Sequence, residues 1–274
     1  MSNYPLPSAL AAQTRFMTLG RAKVPAMLSH PDWRTPRPTV LWMHGRTVSK
    51  EIDNGRFLRF VRAGIASVSL DLPGHGERLD AAMQHLGRTL DVIEQMLGEV
   101  DQVVAAIGQG ELAGLFDGGN LAIGGMSAGG MVALRRLCDA HPFKCAAVEG
   151  TAGNLRMLYL DTNAPAERVG LRHPAERVAR LSAIEHRASW RPIPILALHS
   201  ESDRVVPVGC IRTFVDALRE HYTAVGADAG LVELTTWPQT GAPEEHNGFG
   251  KMGAEAKTRQ VEFLTKTFGI ENVG

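Results

Sequence analysis

The stretch Leu121-Ala-Ile-Gly-Gly-Met-Ser-Ala-Gly-Gly-Met-Val-Ala-Leu134 decides the fold of this chain. It begins with apolar residues typical of a buried strand, passes through a turn rich in glycine, and ends in a pattern typical of a helix. Ser127 stands in the turn, with Gly125 two positions before it and Gly129 two positions after it. Close packing of a strand against the next helix leaves no room for side chains at those two positions. The same packing predicts a strained serine whose hydroxyl projects from the turn.

Two interpretations of Ser127 follow from this pattern. Its hydroxyl can act as a nucleophile, because the amides that open the following helix point to the place where an oxyanion would form. Alternatively, Ser127 only caps that helix. The rest of the chain distinguishes between them, because a nucleophilic serine needs a base and the base needs a carboxylate.

The composition excludes several classes of protein. Of the 274 residues, 44% are hydrophobic and 21% are charged, which is ordinary for one large α/β domain. Lys plus Arg and Asp plus Glu number 29 each, so no net charge attracts nucleic acid or an anionic membrane. No run of about eighteen apolar residues predicts a membrane span. Residues 1–12 lack the features of a signal peptide, and we expect a cytoplasmic protein.

The three cysteines predict neither a disulfide framework nor a metal site. Cys138, Cys145 and Cys210 are an odd number without metal-ligand spacing, which fits a reducing cytoplasm. Each has apolar neighbours, so we expect small buried hydrophobic side chains.

Strands and helices alternate along most of the chain. Continuously apolar runs predict parallel strands buried on both faces, and helical periodicity separates them. Predicted strands cover residues 39–43, 65–70, 120–123, 145–148, 194–199 and 231–236, and predicted helices cover 52–63, 90–107, 131–134, 210–222 and 254–268. Residues 16–28 predict an antiparallel hairpin at the sheet edge. The whole chain, residues 1–274, is therefore predicted to form one α/β domain, a mostly parallel eight-stranded sheet with helices on both faces.

Residues 151–190 interrupt this alternation. They are rich in Arg, Ala and Pro, with helical patches at 166–169 and 175–181. An insertion at this point predicts a small cap over the sheet edge where ligands bind, with a solvated surface excursion as the alternative. Its main large apolar residues are Leu155, Met157, Leu158, Tyr159, Leu160 and Leu171. So few apolar side chains predict a small pocket and not a long tunnel.

A carboxylate and a base follow Ser127 in the chain. Asp203 comes just after the predicted strand at 194–199, and His246 lies in a loop after the last predicted strand. Glu201 is the alternative acid. Helical or strand-end positions favour structural roles for His44, His186, His199 and His221, and Glu244 and Glu245 are interpreted as solvated loop charges.

Several segments match a known superfamily. They are His44-Gly45 with Lys50-Glu51, Asp71 with His75 to Arg78, the Ser127 turn, Trp190 to Pro194, and Asp203 with Val205-Val206-Pro207. With these segments the chain resembles the α/β-hydrolases, in particular bacterial esterases related to dienelactone hydrolase and to the catalytic domain of prolyl oligopeptidase. The Ser127 turn corresponds to the nucleophile elbow of that fold. The resemblance implies a Ser127, Asp203 and His246 triad, with an oxyanion hole formed by the backbone N–H groups of Ala128 and Arg46.

Two departures limit what the resemblance implies. Dienelactone hydrolases use a cysteine nucleophile, where this chain has Ser127. Only residues 1–38 precede the first parallel strand, so the N-terminal propeller of prolyl oligopeptidases is not expected. The segment from His75 to Arg78 is interpreted as a scaffold for the cleft.

The sequence thus predicts a serine carboxylic-ester hydrolase acting on small, short-chain esters. This chemistry needs no metal and no organic cofactor, and the expected partner is a small-molecule ester, with no nucleic acid and no membrane. A small-peptide or amide hydrolase with the same triad is one alternative. A non-catalytic binding module on a hydrolase scaffold is another.

Three side chains are predicted to contact the substrate, namely those of Arg46, Met126 and Tyr159. Arg46 is the residue expected to lend its backbone N–H to the oxyanion hole, so its guanidinium is expected near the mouth of the cleft. It either pairs with an acid such as Glu51 or holds an anionic group of the substrate through paired hydrogen bonds.

Overall fold

The computed structural model describes residues 4–162 and 164–270. Its strands are β1 (Thr14–Leu19), β2 (Val24–Ser29), β3 (Arg37–Met43), β4 (Ala66–Leu70), β5 (Phe116–Met126), β6 (Cys145–Glu149), β7 (Ile195–Ser200) and β8 (Val232–Trp237). Its helices are α1 (Ser8–Ala11), α2 (Asn54–Arg62), α3 (Thr89–Ile107), α4 (Ala128–Arg136), α5 (Leu155–Tyr159), α6 (Ala166–Val169), α7 (Ala175–Leu181), α8 (Gly209–Ala224) and α9 (Gly253–Phe268).

All eight strands form one sheet in the order β1-β2-β4-β3-β5-β6-β7-β8. β2 pairs antiparallel with β1 and with β4, and every pair from β4 to β8 is parallel. The predicted mostly parallel eight-stranded sheet, with its hairpin at one edge, is therefore confirmed.

Helices cover both faces of the sheet. Apolar side chains of α3, α4 and α8 pack on one face, including Val100, Leu134 and Phe214, all fully buried. Those of α1, α2 and α9 pack on the other, including Phe60 and Leu264. The inner strands are buried on both faces, which explains their mostly apolar sequences.

In the insertion, the described residues 151–162 and 164–190 form α5, α6, α7 and a 3-10 helix at Ala183–Ser189, and none of them forms a strand. Its apolar residues Leu155, Leu158, Tyr159 and Leu181 are buried in the same core as α3, α4 and α8. Most of the large apolar side chains of the insertion therefore pack against the body of the protein.

The cysteines are buried, as their apolar surroundings predict. All three are free thiols, and burial raises the pKa of Cys138 to about 11 and the pKa values of Cys145 and Cys210 to about 12. These thiols stay protonated at neutral pH and are poor nucleophiles.

The sheet order brings distant residues to one edge. Arg46 follows β3, Ser127 follows β5, Asp203 follows β7 and His246 follows β8, and these strands are parallel neighbours on either side of β6. Parallel strands end at the same edge, so the four loops meet there. Within residues 4–162 and 164–270, no helix combines the length and the apolar character needed to cross a bilayer.

Candidate active site

The turn around Ser127 is a strained elbow. Ser127 stands between β5 and α4 with φ 52° and ψ −117°, a conformation that is rare for a residue with a side chain. A Cβ on Gly125 would lie 2.5 Å from the carbonyl carbon of Gly129, and one on Gly129 would lie 2.2 Å from the oxygen of Met43. Close backbone packing therefore requires both glycines, for the steric reason that the sequence suggests.

Neighbouring groups hold the backbone of this elbow. The Ser127 amide donates to the Glu149 carbonyl at 2.9 Å, and the Thr151 hydroxyl donates to the Ser127 carbonyl at 2.7 Å. Nothing in the sequence singled out Thr151. These bonds satisfy the Ser127 backbone and leave its side-chain oxygen for another partner.

His246 lies between Ser127 and Asp203. The Nε2 atom of His246 is 3.0 Å from Ser127 Oγ, and its Nδ1 atom is 2.7 Å from Asp203 Oδ2. The side chains are buried, since the three residues are only 6 to 7% exposed. A carboxylate only accepts hydrogen bonds, so Nδ1 carries the proton and Nε2 is free to accept the serine proton.

The Asp203 carboxylate is held from its other side. Its Oδ1 accepts hydrogen bonds from the amides of Val205 at 2.8 Å and Val206 at 2.7 Å. His199 donates to the Val206 carbonyl at 2.8 Å, and burial lowers its pKa, so it is a neutral structural residue. Asp203 therefore presents a fixed Oδ2 to His246.

The alternative residues lie elsewhere. Glu201 accepts hydrogen bonds from Arg212 at 3.2 Å and from the Thr236 hydroxyl at 2.9 Å, both in exposed positions. His186 and His221 each bond a backbone carbonyl at 3.0 Å. These contacts give the three side chains structural partners.

Glu245 was interpreted from the sequence as a solvated loop charge, but in the structure its carboxylate has several hydrogen-bond donors. Its carboxylate accepts hydrogen bonds from the Ser200 hydroxyl at 2.8 Å, the Thr240 amide at 2.6 Å, the Thr240 hydroxyl at 2.8 Å and the Gly241 amide at 2.8 Å. These donors, the Thr240 amide first, lower the pKa of Glu245 to about 2. Glu244 and Glu245 have φ values of 54° and 53°, so the loop before His246 is strained and needs such bonds.

Replacing Glu245 with glutamine should therefore impair the placement of His246. An amide group cannot accept from all of these donors, and we expect kcat to fall about ten- to hundredfold with little change in KM for a small ester. Steady-state kinetics checks this. Glu244→Gln is the matched control, because Glu244 makes a surface salt bridge with Arg204 at 3.2 Å. Equal losses in the two variants would contradict a positioning role for Glu245.

The loop after β3 is fixed beside the elbow. The Nδ1–H of His44 donates to the Gly45 carbonyl at 2.5 Å, and its Nε2 accepts from the Leu72 amide at 3.1 Å. A peptide group is planar and trans, so holding the Gly45 carbonyl directs the Arg46 N–H the opposite way. The Ala128 N–H is at the start of α4 and has no acceptor within the helix.

The Arg46 side chain has an intramolecular role. Its guanidinium donates to the backbone carbonyls of residues 84–86 and to the Thr89 hydroxyl. Glu51, the alternative partner, instead accepts a bond from the Ser49 hydroxyl at 2.5 Å. The structure therefore gives this side chain a structural contact where the sequence suggested Glu51 or a substrate anion.

A buried ionic cluster supports the same loop. Lys50, which is only 1% exposed, has its ammonium 3.0 Å from Asp71, 3.1 Å from Glu51 and 2.5 Å from Glu77. Arg78 donates to the Asp71 carbonyl at 2.6 Å. These contacts agree with the interpretation of this segment as a scaffold.

A cavity of about 620 Å³ opens beside Ser127 and His246. Its apolar lining residues include Trp42, Val48, Ile52, Met126 and Phe249. Its charged lining residues include Asp53, Arg56, Glu149 and Lys257. The charges are paired, with both Arg56–Glu149 hydrogen bonds at 2.8 Å and Lys257 3.0 Å from Asp53. The cavity therefore combines apolar and charged residues, and each of these four charged side chains has a partner of opposite charge.

Of the three side chains predicted to contact the substrate, two line this cavity and one does not. Met126 and Arg46 line this cavity. Tyr159 does not, because it is 2% exposed and packed within the insertion, with its ring 5.1 Å from that of His173. Core packing therefore buries the Tyr159 ring away from this cavity, where the sequence suggested a contact with substrate.

This geometry agrees with a sequence match. Residues 60–271 match the prolyl oligopeptidase family, Peptidase_S9. The chain belongs to this family. The matched region contains Ser127, Asp203 and His246, but the loop after β3 that carries Arg46 precedes it.

Similar proteins agree with this assignment. The esterase YjfP of Escherichia coli strain K12 is 28% identical over 196 residues, which are 68% of this chain and 77% of that protein. YitV of Bacillus subtilis strain 168, which also has an esterase name, is 26% identical over 199 residues, covering 68% and 76% of the two chains. The crystal structure of TT1662 from Thermus thermophilus has a TM-score of 0.68 at 20% identity over 93% of this chain and 98% of that one. TT1662 supports the fold, and the family with its esterase relatives identifies a serine hydrolase.

Proposed function

We propose that this chain is a serine carboxylic-ester hydrolase of short-chain esters, with Ser127 as nucleophile. The observation that carries the proposal is the position of His246, 3.0 Å from Ser127 Oγ and 2.7 Å from Asp203 Oδ2. His246 takes the serine proton as Oγ attacks the ester carbonyl, and Asp203 stabilises the resulting imidazolium. His246 then returns the proton to the leaving alcohol, and water repeats the sequence on the acyl-enzyme.

The oxyanion of each tetrahedral intermediate would accept hydrogen bonds from the backbone amides of Ala128 and Arg46. His44 supports this role, because it fixes the peptide that carries the Arg46 N–H. Donors of this kind contribute roughly 3–4 kcal/mol each to transition-state stabilisation in comparable enzymes. The proposed chemistry uses only side chains and backbone groups of the protein.

Amide hydrolysis is the second candidate, and the family assignment favours it. The esterase names of the two relatives favour ester substrates instead. The test compares the hydrolysis of 4-nitrophenyl esters, from acetate to palmitate, with that of aminoacyl 4-nitroanilides, and a separate sample is treated with a fluorophosphonate to label Ser127. We expect labelling and faster ester hydrolysis. Faster anilide hydrolysis would favour the amide hydrolase, and a failure to label would favour a non-catalytic binding module.

Within the ester series we expect the highest kcat/KM for acetyl to butyryl groups. The cavity is lined by apolar residues such as Trp42, Met126 and Phe249 together with the charged Arg56 and Lys257, and a long acyl chain would cover more of the charged groups than a short one. Removing water from ionised groups without replacing its hydrogen bonds is unfavourable. A preference for palmitoyl esters would contradict this model of the cavity.

A further inference from the structure

Two ion pairs line the cavity beside Ser127, and they differ in exposure. Arg56 and Glu149 form the buried pair, with side chains only 5% and 2% exposed. Asp53 and Lys257 form the accessible pair, with their charged atoms 3.0 Å apart and side chains 33% and 19% exposed. Because both pairs line the same cavity as Ser127, a substrate that fills this cavity while it reacts at Ser127 can contact the accessible pair.

The buried pair has its partners within the protein. Both Glu149 oxygens accept hydrogen bonds from Arg56 at 2.8 Å, and Gln260 donates to Glu149 Oε1 at 2.5 Å. The Arg56 guanidinium also lies 4.2 Å from the centre of the Trp42 ring. Removing either member of such a pair leaves an uncompensated buried charge. The buried pair therefore holds α2, β6 and α9 together, and it is the accessible pair that can bind a substrate.

The accessible pair has hydrogen-bonding capacity left. An ammonium has three N–H donors, and within residues 4–162 and 164–270 the acceptors of Lys257 are Asp53 Oδ1 at 3.0 Å and the Gly253 carbonyl at 3.4 Å. The Oδ2 atom of Asp53 accepts from Arg56 at 2.7 Å, so each carboxylate oxygen has one of these donors and can accept another. Asp53 precedes α2, but its side chain does not cap that helix. A donor and an acceptor with remaining capacity thus lie side by side in the cavity.

Asp53 and Lys257 belong to a cluster without net charge. Burial opposes the ionisation of Asp53, but the cations of Arg56 and Lys257 outweigh it and lower the pKa of Asp53, so the carboxylate is ionised at pH 7. The two ion pairs then contain two anions and two cations. Arg46, another charged residue of the cavity, has its guanidinium bonded to backbone carbonyls of residues 84–86. A charged ligand would have to compete with an existing ion pair, whereas a hydroxyl can both donate and accept without separating it.

We infer that the Asp53–Lys257 pair binds a hydroxyl group of the substrate, so that the protein prefers esters of hydroxylated acids or of hydroxylated alcohols. This inference rests on the proposed function and names the substrate class. The hydroxyl would donate to the Asp53 carboxylate and accept from the Lys257 ammonium. A site built to hydrogen-bond a substrate hydroxyl discriminates against the analogue that lacks it, because the polar groups of the site are then left without that partner.

Two pairs of esters test the inference, one for each part of the substrate. The acyl pair is 4-nitrophenyl 3-hydroxybutyrate and 4-nitrophenyl butyrate. The alcohol pair is 2,3-dihydroxypropyl butyrate and propyl butyrate, with the released acid measured by titration at constant pH. The members of a pair differ only in hydroxyl groups, so the ratio of their kcat/KM values measures the hydroxyl preference. Comparing this ratio between variants removes the difference in intrinsic reactivity of the two esters.

Lys257→Met should lower the hydroxyl preference about ten- to hundredfold in one of the two pairs, because it removes a charged hydrogen-bond donor. The loss should appear mainly as a higher KM for the hydroxylated ester, since the contact is present both before and during the reaction. The unsubstituted ester does not make this contact, and its kcat/KM should change less than about threefold. Lys257→Arg keeps a donor and should retain part of the preference. The affected pair shows whether the acyl or the alcohol part carries the hydroxyl.

Lys266→Met is the matched control. Lys266 is exposed on α9, the helix that carries Lys257, and it is not among the residues that line the cavity. This variant loses the same charge and should leave both ratios unchanged. Thermal unfolding checks that the variants are folded, and we expect small changes in Tm because partly exposed ion pairs contribute little to stability. Equal losses by Lys257→Met on both members of each pair, or equal effects of Lys257→Met and Lys266→Met, would overturn the inference.

A carboxylate bound to Lys257 is the competing explanation. In that case the wild type would prefer 4-nitrophenyl hydrogen adipate to 4-nitrophenyl 3-hydroxybutyrate, and Lys257→Met would remove this preference. That result would overturn the inference. We expect the opposite order in the wild type, because Asp53 lies beside the Lys257 ammonium and repels a second carboxylate.

The two proposals fail in different ways. If no ester of either pair is hydrolysed and Ser127 resists fluorophosphonate labelling, the esterase proposal fails and this inference fails with it. If butyrate esters are hydrolysed at Ser127 but Lys257→Met leaves the hydroxyl preference unchanged in both pairs, the esterase proposal stands and the hydroxyl site at Asp53 and Lys257 fails.

Discussion

In Ser127→Ala, kcat for ester hydrolysis should fall at least about a thousandfold, because the proposed acyl-enzyme cannot form without the Ser127 hydroxyl. The Ser127 hydroxyl is 3.0 Å from the His246 nitrogen that would take its proton. The three cysteines cannot substitute for it, since burial keeps their thiols protonated. The measurement is kcat with 4-nitrophenyl butyrate, together with fluorophosphonate labelling, which should disappear.

The fold should survive this replacement. The Ser127 backbone bonds to Glu149 and Thr151 do not involve the side chain that is removed. Alanine meets the same strain at φ 52° as serine, so the Tm should change by only a few degrees. More than about a tenth of wild-type activity in the folded variant would show that Ser127 is not the nucleophile.

Asp203→Asn should have the second largest effect, a loss of roughly a thousand- to ten-thousandfold in kcat. The Asp203 carboxylate accepts from the Nδ1–H of His246 at 2.7 Å and so leaves Nε2 as the acceptor for the serine proton. An asparagine amide that donates to Nδ1 would favour the opposite tautomer, with its proton on Nε2. The carboxylate charge that stabilises the imidazolium would also be lost.

Glu201→Gln is the control, because Glu201 is the other acid close to this position in the sequence. It is exposed and bonded to Arg212 and Thr236, so its replacement should change kcat less than about threefold. Both variants should be measured at the same pH with the same neutral ester. If Glu201→Gln were the more damaging change, the acid of the site would have to be reassigned to Glu201.

Much of this fold can be predicted from the sequence, because interactions between residues close together in the chain determine it. The runs at residues 39–43 and 194–199 are apolar except for Thr39 and His199, because both faces of their strands are covered and burial selects apolar residues at successive positions. The elbow can also be predicted from the sequence, because the close packing around Ser127 requires Gly125 and Gly129 within two residues of it. Asp203 and His246 lie in loops that follow successive predicted strands after Ser127, and this order was enough to suggest them as the acid and the base.

The tertiary structure alone decided the partners of Glu245, Tyr159 and Arg46. In the sequence, Glu245 is an acid in a polar loop. In the structure, its carboxylate accepts a hydrogen bond from Ser200, the last residue of β7. Tyr159 looked like a pocket residue, and packing buries it beside Arg168. The physical reason is the range of the interactions. Strand burial and the tight elbow constrain residues close together in the chain, whereas the partner of an ion or a hydrogen bond depends on which distant loops meet at the sheet edge.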